Sequence, residues 1–132
     1  MLKISTKSQY GLRAMVYLAR SKAKICPLSL ISKKEGISFD YLEKIISRLE
    51  KAGLVKSKKG VQGGYLLEKK PSKIRIGEIV MALEGKPSII GCLAEKEFCP
   101  RMKKCLTRNV WKKLQEALIK ALNSITLADL IK

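Results

Sequence analysis

Three cysteines, Cys92, Cys99 and Cys105, fall within fourteen residues, with six and then five residues between them. Thiolates bind iron or zinc once deprotonated, so three on one segment can converge on one metal centre. Zinc fingers place paired ligands about two to four residues apart. The wider gaps here suit a larger object, such as an iron–sulfur cluster. Lys86, Lys96, Arg101, Lys103 and Lys104 stand nearby and would offset the negative charge of thiolates and cluster. Three free thiols in a loop are the plainer alternative. Cys26 stands alone before Pro27 and reads as a small buried hydrophobe.

The charge balance points to a second kind of chemistry. The 132 residues include 28 Lys and Arg against 11 Asp and Glu, for a net charge of +17. Such a chain is drawn to polyanions, either nucleic acid or an anionic membrane surface. Residues 1–71 carry 16 basic and 5 acidic side chains, so the amino-terminal half is the expected polyanion face. The sequence has no histidine, which excludes His-dependent triads, His general bases and His metal ligands. Apolar residues make up 46% and charged residues 30%, a globular composition. The first apolar stretch, Leu12 to Leu18, contains Arg13 and is closed by Arg20. It is too short and too charged for a membrane span or a signal peptide. A cytoplasmic location is therefore expected, and structural disulfides are not.

Periodicity supplies the elements that would position these groups. A first helix is expected from about Lys7 to Arg20, capped by Ser5 or Thr6, with Tyr10, Ala14, Tyr17 and Leu18 as its apolar stripe. A short second helix spans about Pro27 to Lys34, with Gly36 as the following turn. A third opens at Ser38 or Asp40 and reaches about Ala52, burying Phe39, Leu42, Ile46 and Leu49, and Gly53 ends it. Leu54–Lys56 and Tyr65–Glu68 read as two strands around a glycine-rich loop at 57–64. A short helix follows from about Ile76 to Leu83. Residues 85–105 have no sustained period, and irregular segments of that length are usually functional or disordered. The last long helix runs from about Leu106 to Asn123, with Val110, Trp111, Leu114, Leu118, Ala121, Leu122 and Ile125 marking one broad apolar face. Leu127–Ile131 reads as a terminal turn or short helix.

Two short helices, a longer helix with a polar outer face and then a basic hairpin form a winged helix-turn-helix order. A helix fits the major groove of DNA, where residues on its exposed face reach base edges. Helical spacing puts Tyr41, Lys44, Ser47 and Arg48 on that face, with Ser38, Asp40 and Glu43 in its first turns. Lys and Arg suit phosphate or guanine, and a carboxylate can accept from cytosine while penalising wrong bases. Lys56, Lys58 and Lys59 on the hairpin would neutralise phosphates, and Lys59 or Gln62 would enter a minor groove. The alternative is an ordinary solvated face. An RNA target is weakened by the lack of an aromatic platform for stacking single-stranded bases.

Several segments together carry a resemblance. They are Ile37-Ser38-Phe39-Asp40-Tyr41-Leu42-Glu43-Lys44, Ser47-Arg48-Leu49, Gly53-Leu54-Val55, Gly63-Gly64-Tyr65-Leu66-Leu67, Ile76-Gly77-Glu78-Ile79-Val80 and Cys105-Leu106-Thr107. With the Cys92–Cys99–Cys105 spacing, they make the chain resemble the IscR family of bacterial transcription regulators from Ser5 to Leu130. The resemblance implies a mainly α protein: a winged helix-turn-helix domain with a small β-hairpin wing and a long C-terminal dimerisation helix. It further implies a homodimer on a palindromic operator in double-stranded DNA. The three cysteines would hold a 2Fe–2S or 4Fe–4S cluster. The corresponding divisions are 1–84 for DNA binding, 85–105 for the cluster loop and 106–132 for dimerisation.

One position departs from the family pattern. The best-known members supply a histidine three residues after the third cysteine, where this chain has Arg108. Arginine stays protonated and has no lone pair to ligate. Another branch uses an acidic residue on the first helix of the partner subunit, but residues 1–15 hold no Asp or Glu. The fourth ligand is left unassigned among Glu95, Glu97, Asn109, Gln9, Cys26, water or a small thiol. The expected function is a cytoplasmic dimeric regulator sensing iron–sulfur status, redox state or nitric oxide. A cluster-free regulator controlled by a protein partner, a small molecule or thiol oxidation is the alternative. A cysteine enzyme is disfavoured, because no histidine activates a thiol and no Cys-x-x-Cys pair is present.

Overall fold

Short hydroxyl side chains start three of the helices in the computed structural model, which describes residues 3–85, 89, 93 and 104–132. Ser5 accepts a hydrogen bond from the Ser8 amide at 3.2 Å and opens α1, Thr6–Arg20. Pro27 opens α2, Leu28–Glu35, by offering its carbonyl to the amides of Leu30 and Ile31. Gly36, at φ 65°, ends α2 in the left-handed region that glycine adopts without strain. Ser38 accepts from the Tyr41 amide at 3.3 Å and starts α3, Phe39–Lys51. Asp40 in the first turn of α3 and Arg48 and Lys51 in its last turn complement the helix dipole.

The chain then pairs β1, Val55–Lys58, with β2, Gly64–Leu67, as a two-stranded antiparallel hairpin. Val55 faces Leu67 and Lys58 faces Gly64. A 3-10 turn at Pro71–Lys73 leads into α4, Ile76–Glu84. The long helix α5 spans Arg108–Asn123, and a last turn of helix, α6, spans Leu127–Leu130. Thr126 and Asp129 cap α6 reciprocally: the Asp129 amide donates to the Thr126 hydroxyl, and the Thr126 amide donates to the Asp129 carboxylate. These bonds hold the Asp129 carboxyl below its ordinary range.

One core joins these elements. Met15, Ile31, Leu42, Ile45, Ile46, Leu49, Leu54, Ile74, Ile79, Leu83 and Leu127 are fully buried. Each such side chain contributes about 1.5–3 kcal/mol relative to exposure. Gly11 marks where α1 meets α4, since a Cβ there would lie 2.2 Å from Leu83 Cδ1. α6 is sewn to the start of α4: the Ile76 amide donates to the Ile125 carbonyl at 2.9 Å and the Leu127 amide to the Ile74 carbonyl at 2.8 Å.

The winged helix-turn-helix order expected from the sequence is therefore present, with some local differences. Phe39, expected in the stripe of the third helix, is exposed, and Ile45 takes a core place instead. Phe39 is the first residue of α3, where the helix has barely entered the core. The last helix starts at Arg108 rather than near Leu106. The Thr107 hydroxyl, the natural cap, meets the Cys105 sulfur at 3.3 Å instead. Cys26 is buried, as expected. The cysteine segment expected at 85–105 lies mostly outside the described residues, and so do Cys92 and Cys99.

The base of the wing is fixed to the α1–α2 connection. Cys26 and Tyr65 exchange backbone hydrogen bonds, Cys26 N–H to Tyr65 O at 2.9 Å and Tyr65 N–H to Cys26 O at 2.8 Å. This approach needs glycine at 64, because a Cβ there would lie 2.4 Å from the Cys26 carbonyl oxygen. Backbone cannot yield as a flexible side chain does. Gly64→Ala should therefore lower unfolding stability by about 1–3 kcal/mol, as overpacking does elsewhere. Urea denaturation at constant m-value measures it, and an unchanged midpoint would contradict the contact.

Candidate nucleic-acid interface

Burial of Leu42, Ile45, Ile46 and Leu49 on one side of α3 decides what the other side presents. Asp40, Glu43, Lys44, Ser47 and Lys51 all face solvent. Glu43, Lys44, Ser47, Arg48 and Lys51 line one shallow depression along the helix. This is the face that the spacing predicted, and its side chains have the donors and acceptors for base edges and phosphates.

Three of the expected contact residues also have structural work. The Ser38 oxygen caps α3, while its hydroxyl proton remains available to donate. Tyr41 is half-buried, its ring edge-to-face against Tyr10 with centroids 5.8 Å apart. Tyr10 in turn carries the Arg13 guanidinium 5.5 Å from its ring centre, and Arg13 pairs with Glu35 at 3.2 Å at the end of α2. Arg48 donates from Nη1 to the Leu83 carbonyl at 3.0 Å, so the guanidinium spans from α3 to the last turn of α4. The Ser38 cap is legible in the local sequence, whereas the Tyr41 and Arg48 contacts are not.

The wing carries the other cations. Lys56 and Lys58 alternate with Ser57 on β1 and so share one face. Lys59, Val61 and Gln62 stand exposed at the tip. Gly60 has φ 118°, a conformation closed to side-chain-bearing residues, and its carbonyl accepts from the Gly63 amide at 3.0 Å. The ion pairs among the described residues are Arg13–Glu35, Lys69–Glu78 and Lys132–Asp129. Lys44, Lys56, Lys58 and Lys59 are in none of them, so their charge is uncommitted. Behind the wing, burial first, then Glu50 and Glu43, raise the Tyr65 phenol above its ordinary value and keep it protonated.

Of the three cysteines expected as metal ligands, Cys105 alone lies in the described part. It is half-exposed just before α5. The Thr107 hydroxyl lowers its thiol below the ordinary range, followed by the backbone amides of Arg108 and Thr107 and the Arg108 charge. This environment favours the thiolate, the form that binds metal. Cys26, by contrast, is buried with its sulfur 3.1 Å from the Ser21 hydroxyl. Sequence reasoning did not single out Glu84. Its carboxylate accepts from the Ser8 hydroxyl at 2.7 Å and from the Ser5 hydroxyl, joining the end of α4 to the start of α1. The absence of any acidic residue in the first turn of α1 is the faint trace it left.

Comparison with known proteins agrees with this geometry. Residues 4–132 match the family profile Rrf2, described as an iron-dependent transcriptional regulator. The chain is 41% identical over 133 residues to Protein rrf2 of Nitratidesulfovibrio vulgaris, covering 99% of this chain and 88% of that one. It is 40% identical over 131 residues to the HTH-type transcriptional regulator IscR of Escherichia coli, covering 98% and 80%. Among solved structures it resembles CymR, the global cysteine regulator of B. subtilis, with TM-score 0.80, 39% identity and coverage of 99% and 97%. It also resembles T. potens IscR, with TM-score 0.77, 39% identity and coverage of 98% and 86%.

Two measurements address the interface and the thiol. Lys58→Ala and Lys59→Ala should each weaken duplex binding at every sequence and flatten its salt dependence by about one charge. Glu43→Ala should instead relax preference at one base pair, by about 1–3 kcal/mol in competition titrations. Equal selectivity in the variant would remove Glu43 as a reader. For Cys105, Thr107→Val removes the largest cause of the lowered pKa. The midpoint of its alkylation-rate profile with iodoacetamide should then move to higher pH, and an unmoved profile would count against the hydrogen bond.

Proposed function

The chain belongs to the Rrf2 family of transcriptional regulators, and on that premise we propose that it acts as a homodimer on a palindromic DNA operator and senses iron–sulfur status, redox state or nitric oxide through Cys92, Cys99 and Cys105. Such regulators are DNA-binding proteins and not enzymes. In this reading residues 1–84 grip DNA through Ser38, Asp40, Tyr41, Glu43, Lys44, Ser47, Arg48, Lys56, Lys58, Lys59 and Gln62. Residues 85–105 hold the cluster and 106–132 join two copies. Among the described residues no helix is long and apolar enough to cross a membrane.

The last turn of α4 carries the argument. Residues 83 and 84 stand immediately before the cysteine segment. The Leu83 carbonyl accepts from Arg48 of α3, and the Glu84 carboxylate accepts from Ser5 and Ser8 of α1. Whatever fixes the segment between α4 and α5 therefore pulls on a turn bonded to both the recognition helix and the first helix. The donor set at the far end fits thiolate ligation, since Cys105 is held toward its thiolate form. Arg108 supplies no ligand, and the fourth ligand stays open. A 2Fe–2S or 4Fe–4S centre held there would bring one-electron redox chemistry and reactivity toward oxidants and nitric oxide.

Dimerisation is supported by α5. No residue of this helix is buried, and Val110, Trp111 and Leu114 remain exposed, as does Met81 of α4. An apolar stripe left open on a chain this basic fits a matching stripe on a second copy.

A second reading keeps the DNA interface and drops the cluster, with control by a protein partner, a small molecule or thiol oxidation. The likeness to CymR and the arginine at 108 favour it.

Anaerobic purification, iron and sulfide counts and a DNA titration separate the two readings. Under the first, the iron-loaded protein and its Cys92→Ala variant should differ in DNA affinity by about 5–150-fold, the usual range of allosteric coupling. Iron-free protein after anaerobic purification, or equal affinities in all forms, would transfer the case to the cluster-free regulator.

A further inference from the structure

Lys7 lies in the first turn of α1, where the helix dipole disfavours a cation and where α1 has no acidic residue to offset it. The side chain is half-buried. Beside it is a small cleft of ≈ 100 Å³, lined by Lys7, Tyr41, Lys44, Ile45 and Arg48. Three cations from two helices thus border one opening whose wall includes the buried Ile45. Lys44 and Arg48 also line the depression on the outer face of α3, so the cleft opens onto that face.

Among the described residues, none of the three cations is in an ion pair. The bond from Arg48 to the Leu83 carbonyl fixes its guanidinium beside the cleft without neutralising it. Glu84, whose carboxylate lies at the start of α1, accepts from Ser5 and Ser8 and forms no ion pair with Lys7. Like charges gathered around one small space raise the energy of the empty protein, and a bound anion relieves it.

We infer that this cleft seats a backbone phosphate of the duplex that α3 reads, with Lys7 and Lys44 supplying the ammonium groups and Arg48 a guanidinium. The inference rests on the DNA-binding reading and extends the interface from α3 and the wing onto α1. Lys7 is a positioning residue: its contact sets how α3 sits in the groove without reading a base. A cation costs α1 a little locally and returns it as phosphate affinity.

The test uses the full chain with two labelled duplexes, one selected by the wild-type protein from a random pool and one of scrambled sequence. Anisotropy titrations run across a salt series, with thermal melts of each variant. Lys7→Gln should melt no lower than wild type, bind both duplexes more weakly by the same factor, and lower the salt slope by about 0.9, the value of one phosphate contact. Lys7→Arg should restore both affinity and slope. Affinity loss without a change in slope would assign Lys7 a structural role and overturn the phosphate seat. Unchanged affinity and slope in Lys7→Gln would overturn it too, with the DNA reading intact. Failure of the wild type to bind either duplex in a salt-dependent way would overturn the DNA reading and the seat with it.

Discussion

Everything on the outer surface of α3 depends on the packing of its inner one. Leu42, Ile45, Ile46 and Leu49 are held without solvent against α1, α2 and α4, and a helix anchored at four such points cannot rotate about its axis. A turn of one residue would bring Glu43 or Lys44 into the core, at the cost of burying an unpaired charge. The face offered to a groove is thus set by hydrophobic burial. Asp40, Glu43, Lys44 and Ser47 there make no side-chain bond that holds the helix, whereas Ser38, Tyr41 and Arg48 also tie it into the fold.

The last turn of α4 is the second fixed point. Leu83 fills the notch left by Gly11, its carbonyl takes the Arg48 guanidinium, and the next residue takes two hydroxyls at the start of α1. Apolar contact, a charge-assisted hydrogen bond and a carboxylate at a helix start therefore meet within two residues. This makes the end of α4 a mechanical junction between the first helix and the recognition helix. In the sequence, the segment that holds Cys92, Cys99 and Cys105 starts just beyond it.

Much of this was legible in the residues because the signals are local. Ser5 and Ser38 are hydroxyls one position before a helical period, Gly36 follows one, and the change from period 3.6 to period 2 at Leu54 announces the wing. The exposed stripe of α3 follows from its apolar one. The contacts that escaped are those made across the fold. Arg48 reaches a backbone carbonyl thirty-five positions away, and a carbonyl acceptor leaves no mark on residue type. Spacing puts Tyr41 on the outer face of α3, but its edge-to-face contact with Tyr10 could not be read there. Phe39 looked buried because it is large and apolar, though the first turn of α3 has not reached the core. The Thr107 hydroxyl meets the Cys105 sulfur and makes no bond to the amides of α5, a choice that residue types alone do not announce.

The hairpin is closed twice near its base, once by the exchange between Cys26 and Tyr65 and once by the Glu68 amide on the Leu54 carbonyl at 3.0 Å. Residues 59–62 project beyond both closures and bury nothing. Substitutions of Lys59, Val61 and Gln62 are therefore insulated from folding stability, whereas Gly60, at φ 118°, is not free to change. The hairpin can thus change the charge it presents at 59, 61 and 62 while the scaffold behind it keeps its packing.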